Sequence, residues 1–260
     1  MNKPGNRSSG QAIIRYLCIL VDYCALKMLQ LTGKRMVKSF DACFLYPAAD
    51  HIRLKIKFLQ HCCAGRKVVH LGFADAPFTE KTLAADTFLH LQLKKVTREL
   101  LGVDCDEKAV ALYKKTTGDL NVELADIYQL QACAEKFAGA EVFVLGEIIE
   151  HLDNPGLALQ SIHAVMPDAA ALIVTVPSAL NFYLLQGALN HVELGHPDHK
   201  ALYSMNTLSG LLKTSGFVTQ DMCYYISGNG EKLSWFQKRF PALGEGIIGV
   251  FKKQRSGTGG

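Results

Sequence analysis

Short apolar runs rich in β-branched residues recur along the chain, and most are followed by a stretch of helical periodicity. Such runs predict buried strands over residues 68–71, 100–104, 122–125, 142–146 and 170–176. Helices are predicted over 79–96 with Thr79 as the N-cap, after Asp106, through 148–152, and after Asn154-Pro155. This alternation predicts an α/β fold with a doubly wound parallel sheet.

The pattern changes towards the end of the chain. A helix over 206–215 is ended by Gly216, and two further strands follow over 217–226 and 246–252 without a convincing helix between them. These two strands therefore suit an antiparallel pair. Residues 178–203 are predicted to be irregular, and residues 51–63 fit a helix, although their first half also alternates like a strand.

Residues 1–50 form a predicted N-terminal helical extension, of which 11–31 are strongly apolar. Arg15, Asp22 and Lys27 make this segment a poor bilayer-spanning helix. Two interpretations remain for it. The favoured one is a helix packed on the main domain or on the second subunit of a homodimer, and the other is peripheral contact with a membrane surface.

Composition limits the class of protein only loosely. The chain has 260 residues, 49% of them hydrophobic, and a net charge of +4 without a basic run, which argues against a DNA-binding groove. Its 8 cysteines are scattered without C-x-x-C spacing. They are interpreted as reduced thiols in a cytoplasmic protein.

Candidate ligand contacts lie where three predicted strands end. Gly72 follows the first strand in RKVVHLGFADA, at a sharp turn, although G-x-G-x-x-G is absent and an ordinary strand-to-helix turn is an equal alternative. Asp104 ends the second strand, where an acid accepts hydrogen bonds from ribose hydroxyls. Asp126 ends the third and is placed to meet an adenine amino group. Either aspartate could instead cap a helix.

Residues 67–253 resemble class I S-adenosylmethionine-dependent methyltransferases, through VVHLGFADA, LLGVDCDEKAV, ELADIYQL, FVLGEIIEHLDNP, LIVTVPSALN, YSMNTLSGLLKTSGF and GIIGVFKK. The resemblance implies a Rossmann-like seven-stranded sheet with an antiparallel last strand. The predicted methyltransferase domain spans residues 51–253, and residues 254–260 form a predicted flexible, disordered tail. The resemblance also implies S-adenosylmethionine contacts from His70, Gly72, Phe73, Asp104, Cys105, Asp126, Ile127 and Gly146. His70 replaces the family's usual acid, and Ala74 and Ala76 replace its later glycines.

A second group of residues suggests the chemistry. On a helix, the offsets in Glu147-Ile-Ile-Glu150-His151 would place both glutamates and the imidazole on one face. This E-x-x-E-H run, with the later His196-Pro-Asp198-His199, resembles ubiquinone-biosynthesis O-methyltransferases and small-RNA 3′-end 2′-O-methyltransferases. The predicted ligands of a divalent cation, Mg or Zn, are Glu147, Glu150, His151 and His199, with His196 as the alternative to His199.

Without a cation, His151, or His199 supported by Asp198, would act as the base, and Glu150 is a further catalytic candidate. Residues 178–205 would fold over this site as a cap, with Tyr183, Leu184 and Leu185 shaping an apolar acceptor pocket.

The expected function is therefore O-methylation of a small-molecule, lipid-linked or glycan acceptor. Two alternatives stay open. One is an RNA 2′-O-methyltransferase, and the other is a non-catalytic binding protein with the same fold, which His70, Ala74 and Ala76 would favour.

Overall fold

An eight-stranded mixed sheet forms the centre of the computed structural model, which describes residues 51–85, 87–227 and 235–254. The predicted extension over 1–50, its apolar segment and the tail after residue 254 lie outside the described residues. The strands are β1 Ile52–Leu54, β2 Lys67–Leu71, β3 Glu99–Asp104, β4 Val122–Leu124, β5 Val142–Gly146, β6 Ala171–Pro177, β7 Phe217–Ile226 and β8 Gly246–Lys253.

The strands lie in the order β1-β7-β8-β6-β5-β2-β3-β4, and β8 runs antiparallel to both of its neighbours. The predicted α/β class and the antiparallel last strand are thus confirmed. The eighth strand is an addition to the expected seven. It arises because Ile52–Leu54 pairs in parallel with the end of β7, so the two interpretations of residues 51–63 are each right for one part.

Helices cover both faces of this sheet. Their bounds are α1 Lys55–Cys63, α2 Thr79–Ala84, α3 Leu89–Lys94, α4 Glu107–Thr117, α5 Pro155–Val165, α6 Phe182–Leu189, α7 Met205–Thr214 and α8 Trp235–Arg239. A 3-10 segment, Ile127–Phe137, follows β4. Within the described ranges, no helix combines the length and the apolarity that crossing a bilayer requires.

Alternation along β2 shows how the two sides of the sheet are filled. Val69 and Leu71 belong to the larger core, which α5 and α7 cover, whereas Val68 belongs to the core beneath α1 and α3. His70 shares the face of Val68 because side chains two residues apart on a strand point the same way. This places His70 against α3.

Four predictions about where helices lie or begin are wrong. The helix expected over 79–96 is two short helices, and Thr79 is not its N-cap, because the Thr79 hydroxyl instead donates to the Ala74 carbonyl at 2.6 Å. The expected helix through 148–152 is a single 3-10 turn, Ile149–His151. The segment expected to be irregular contains α6. By contrast, the predicted caps Asp106 and Asn154 accept hydrogen bonds from Ala109 N and Leu157 N.

Candidate active site

A cleft of about 1070 Å³ opens at the carboxyl ends of β2, β3 and β5. This edge is where open α/β sheets bind their ligands. Six of the eight predicted cofactor contacts line the cleft: His70, Gly72, Phe73, Asp104, Cys105 and Gly146. Asp126 and Ile127 are not part of that lining. The Asp126 carboxylate instead accepts from Tyr128 N and caps the 3-10 segment.

Gly72 is required at the turn after β2. Its φ is +70°, a conformation that side chains with a Cβ rarely adopt, and its N–H donates to the Val103 carbonyl at 2.7 Å. A Cβ on this residue would lie 2.2 Å from Ile148 Cδ1. The backbone is therefore bare on the side facing the cleft, and Ile148 fills part of the space that a side chain would take.

Asp104 ties two turns of the cleft together. Its Oδ2 accepts from Ala74 N at 2.9 Å and its Oδ1 accepts from Asp106 N at 3.0 Å. Each carboxylate oxygen can accept a further hydrogen bond. Ala74 in place of a glycine does not disturb this turn, since the residue with positive φ is Asp75, at +54°.

Two buried histidines contact each other at the wall of the cleft. His70 is 2% exposed and His90 is inaccessible to solvent, and their Nδ1 atoms lie 3.2 Å apart. Burial lowers the pKa of His70 to about 3, with the charge of Lys55 as a second cause, and burial also holds the pKa of His90 well below its usual value. Both rings are therefore neutral at pH 7.

Glu147 does not share a helix face with Glu150 and His151, because it has a left-handed backbone, φ +55°, between β5 and the 3-10 turn. Its Oε1 accepts from the Thr175 and Tyr225 hydroxyls at 2.6 and 2.9 Å and lies 3.3 Å from Lys55 Nζ. Sequence reasoning missed Lys55, Thr175 and Tyr225.

Glu150 is fully buried, and within the described chain neither of its carboxyl oxygens has a hydrogen-bond partner. Burial first, and then the nearby Glu147, raise its pKa to about 8. Its carboxyl group is therefore largely protonated at pH 7. It is not among the residues lining the cleft.

Three imidazoles converge at the rim. One ring nitrogen each from His151, His196 and His199 lies within 4.8 Å of the others, a set we call the imidazole cluster. His151 Nδ1 lies 3.2 Å from the Asp198 carbonyl, which can only accept, so in the neutral ring this nitrogen carries the proton and Nε2 has the lone pair. Burial lowers the pKa of His199, and His151 and His196 lower it further.

Backbone hydrogen bonds and one ion pair join the predicted cap to the 3-10 turn and its neighbouring residues. Lys200 N and Ala201 N donate to the Glu150 carbonyl at 2.8 and 3.3 Å, and the Lys200 ammonium pairs with Asp153 at 2.6 Å. Together with the bond from His151 to Asp198, these contacts hold 196–201 against the 3-10 turn. The cluster thus contains His151 and both alternatives for the second histidine, His196 and His199, but neither Glu147 nor Glu150.

A second cavity of about 670 Å³ lies under the same cap segment. Its lining is mainly aliphatic and includes Leu184, Leu185, Val192, Leu194, Leu202 and Leu243. Tyr183 is not part of this lining and is 59% exposed, although Leu184 and Leu185 line the cavity as predicted. Leu194 of this lining precedes His196 of the cleft lining by two residues, a span of at most about 7 Å along the chain, and the two linings share no residue.

Comparisons with known proteins were made from sequence and from structure. No protein-family profile matches the sequence. No curated protein matches it either.

Solved structures do match. A complex between the Haloferax volcanii Trm112 methyltransferase activator and a methyltransferase matches with 13% identity over 78% of this chain and 90% of that one, at a TM-score of 0.52. A TehB-like S-adenosylmethionine-dependent methyltransferase from Corynebacterium glutamicum matches with 13% identity over 90% of this chain and 100% of that one, at 0.50. Magnesium protoporphyrin IX methyltransferase from Synechocystis, solved with bound SAH, matches with 11% identity over 77% and 80%, also at 0.50. The chain thus has the Rossmann-like fold of S-adenosylmethionine-dependent methyltransferases.

Proposed function

We propose that this protein is an S-adenosylmethionine-dependent methyltransferase that methylates an oxygen of an apolar small-molecule or lipid-linked acceptor. The observation that carries the proposal is the position of the imidazole cluster. It lies on the rim of the cleft at the carboxyl edge of the sheet, and the short segment 194–196 connects it to the lining of an apolar cavity. Cofactor, base and acceptor chain would then occupy adjoining spaces, as an in-line transfer requires.

The residues of the cleft fit the cofactor. S-adenosylmethionine supplies an activated methyl group on its sulfonium. Gly72 permits the tight turn, with positive φ, that follows β2 at the cleft, and the unused lone pairs of Asp104 can accept from ribose hydroxyls. We retain Asp126 and Ile127 among the proposed cofactor contacts. Their side chains are not part of the cleft lining and would have to reach the adenine from outside it.

We propose His151 as the group that takes the acceptor's proton. Its Nε2 lone pair is available because Nδ1–H is held by the Asp198 carbonyl. His199, with its lowered pKa, is the second candidate. Glu150 is proposed as a positioning residue, because its carbonyl holds the cap and its carboxyl group is buried.

A divalent cation is a less favoured version of the site. Three imidazoles would suit Zn better than Mg. However, His196 Nδ1 accepts from Asp198 N at 3.3 Å, so the neutral His196 ring would carry its proton on Nε2. To bind a metal through Nε2, that ring would have to move its proton to Nδ1 and give up the hydrogen bond from Asp198 N. Glu147, bound by two hydroxyls and Lys55, is also not free to turn to the cluster.

Binding of S-adenosylhomocysteine tests the cofactor directly. Replacing Asp104 with alanine should weaken binding by about 1–3 kcal/mol, the loss expected for hydrogen bonds to a charged group. Isothermal titration calorimetry measures this loss. The matched control is Asp168→Ala, which removes a surface carboxylate paired with Lys253. Unchanged affinity in a folded Asp104→Ala variant would remove Asp104 from the site, and no binding by the unmodified protein would refute the proposed function.

The acceptor is tested with a series of n-alkyl phenols. Each added methylene should tighten binding by about fourfold until the cavity is full, since burying one CH₂ is worth about 0.8 kcal/mol. Ala188→Trp, at the cavity wall, should abolish this dependence on chain length. Tyr183→Ala, on the same helix but outside the lining, should preserve it. Affinity independent of chain length, with methylation of RNA or a glycan instead, would favour another acceptor class.

A further inference from the structure

We infer that the His70–His90 pair fixes a hydrogen-bond donor, His70 Nε2–H, towards the cleft, and that this donor and Lys55 receive the carboxylate of the cofactor's amino-acid end. The inference rests on the proposed function, because it takes S-adenosylmethionine or its product as the ligand. It concerns how the cleft distinguishes the two charged groups of that ligand.

The short contact between the rings restricts where their protons lie. The two Nδ1 atoms are 3.2 Å apart, so one of them must donate and the other accept. Both rings are neutral, because burial lowers the pKa of each. A neutral imidazole carries one proton, so donation from one Nδ1 forces the other ring to carry its proton on Nε2. Only two arrangements satisfy this condition.

The surroundings of His90 select one arrangement. Its Nε2 is shielded from solvent, and in the described part of the chain it has no hydrogen-bond partner. A proton there would be a buried N–H without an acceptor, which is rarer in proteins than a buried acceptor left unpaired. We therefore place the proton of His90 on Nδ1. His70 Nδ1 accepts it, and His70 carries its own proton on Nε2.

His70 Nε2 belongs to the cleft side of the ring. His70 and Gly146 both line the cleft, and a Cβ on Gly146 would lie 3.9 Å from this nitrogen. Across the described residues, no protein group forms a hydrogen bond with His70 Nε2. The atom is therefore a donor available to a ligand.

The charge beside this donor favours an anion. Lys55 also lines the cleft, and its ammonium is close enough for its charge to lower the pKa of His70. A neutral N–H and an ammonium together suit a carboxylate, and the Lys55 ammonium, which pairs with Glu147 Oε1 at 3.3 Å, has further N–H donors for it. The family's usual acid at position 70 would suit the cofactor's amino group instead, so His70 reverses the polarity of this part of the cleft. Asp75, which lines the same cleft, is the acid left for the amino group, since Lys55 and two hydroxyls already bind Glu147.

The experiment is a thermodynamic cycle that changes one group on the protein and one group on the ligand, separately and together. The dissociation constants of S-adenosylhomocysteine and of its decarboxylated analogue, which ends in an aminopropyl chain, are measured for the unmodified protein, His70→Leu and the control His163→Leu. We expect loss of the carboxylate to weaken binding by tenfold or more in the unmodified protein and the control. In His70→Leu the same loss should cost several times less. An equal penalty in all three proteins would overturn the inference, whereas failure of the unmodified protein to bind either ligand would refute the proposed function instead.

A measurement on the unmodified protein covers the case in which His70→Leu does not fold. Nitrogen-15 NMR of histidine-labelled protein distinguishes protonated from unprotonated ring nitrogens without any ligand. Protons on His70 Nε2 and His90 Nδ1 are the expected result. Protons on His70 Nδ1 and His90 Nε2 would overturn the inference, because His70 would then offer the cleft an acceptor.

Discussion

Replacing His151 with alanine should lower kcat for methyl transfer by about a hundredfold to ten-thousandfold, the usual contribution of a positioned general base. The reason is the Nε2 lone pair, which the bond from Nδ1 to the Asp198 carbonyl leaves available at the rim of the cleft. S-adenosylhomocysteine affinity should change far less than kcat. The measurement is steady-state methyl transfer to an alkyl phenol together with calorimetry on the same preparation.

The matched control is His61→Ala, which removes an exposed imidazole from α1. Adding a chelator separates the two versions of the site. If activity survives exhaustive chelation but is lost in His151→Ala, the imidazole acts directly. If chelation abolishes activity and added Zn restores it, the cluster holds a metal. A His151→Ala variant with unchanged kcat would exclude both roles for this residue.

The sequence predicted the strands, and the turns at their carboxyl ends, better than it predicted the short helices. Buried parallel strands consist of continuous apolar runs, and the ends of β2 and β3 bring Gly72 and Asp104 to the cleft by topology alone. The end of α2 at Ala84 and the start of α3 at Leu89 were less predictable, because the helical periodicity of the sequence continues from one helix to the other. Periodicity alone does not reveal where a helix is interrupted.

The candidate site required contacts that a linear pattern does not contain. Glu147 and Glu150 would share one face only if both lay on a helix. Glu147 instead has a positive φ and turns towards β6 and β7. Its partners Thr175 and Tyr225 are distant in sequence, and no motif marks them. The contact between His90 and His70 could not be predicted for the same reason. In a helical pattern it resembles a surface residue, and only the packing of α3 on β2 brings it to His70.

Glu150 and the buried histidines should make the stability of this protein depend on pH in opposite directions. The pKa of Glu150 is raised in the folded protein to about 8. Between pH 4.5 and pH 8, Glu150 is therefore ionised in the unfolded chain but mostly protonated in the folded protein. Folding stability from this residue is therefore complete below pH 4.5 and is lost as pH rises towards 8. For His70 the folded pKa is lowered, so stability is complete above 6.5 and falls as the pH decreases towards 3.

Glu150→Gln should therefore remove a pH dependence that the unmodified protein has. Each pH unit between 4.5 and 8 should cost the unmodified protein about 1.4 kcal/mol relative to the variant, reaching about 4 kcal/mol at pH 8. The measurement is the free energy of unfolding by urea at several pH values. Only the difference between the two proteins is informative, since the histidines contribute equally to both and cancel.

The amide in this variant is also buried without a partner, so its absolute stability at pH 4.5 can lie above or below that of the unmodified protein. What identifies a protonated buried carboxyl group is the slope of the difference with pH. The matched control is Glu135→Gln, an exposed glutamate whose difference curve should be flat. A flat curve for Glu150→Gln would mean that Glu150 is ionised in the folded protein at neutral pH. It would then have to be stabilised there by a cation or by a rearranged cap, and its role would change from positioning the cap to binding at the imidazole cluster.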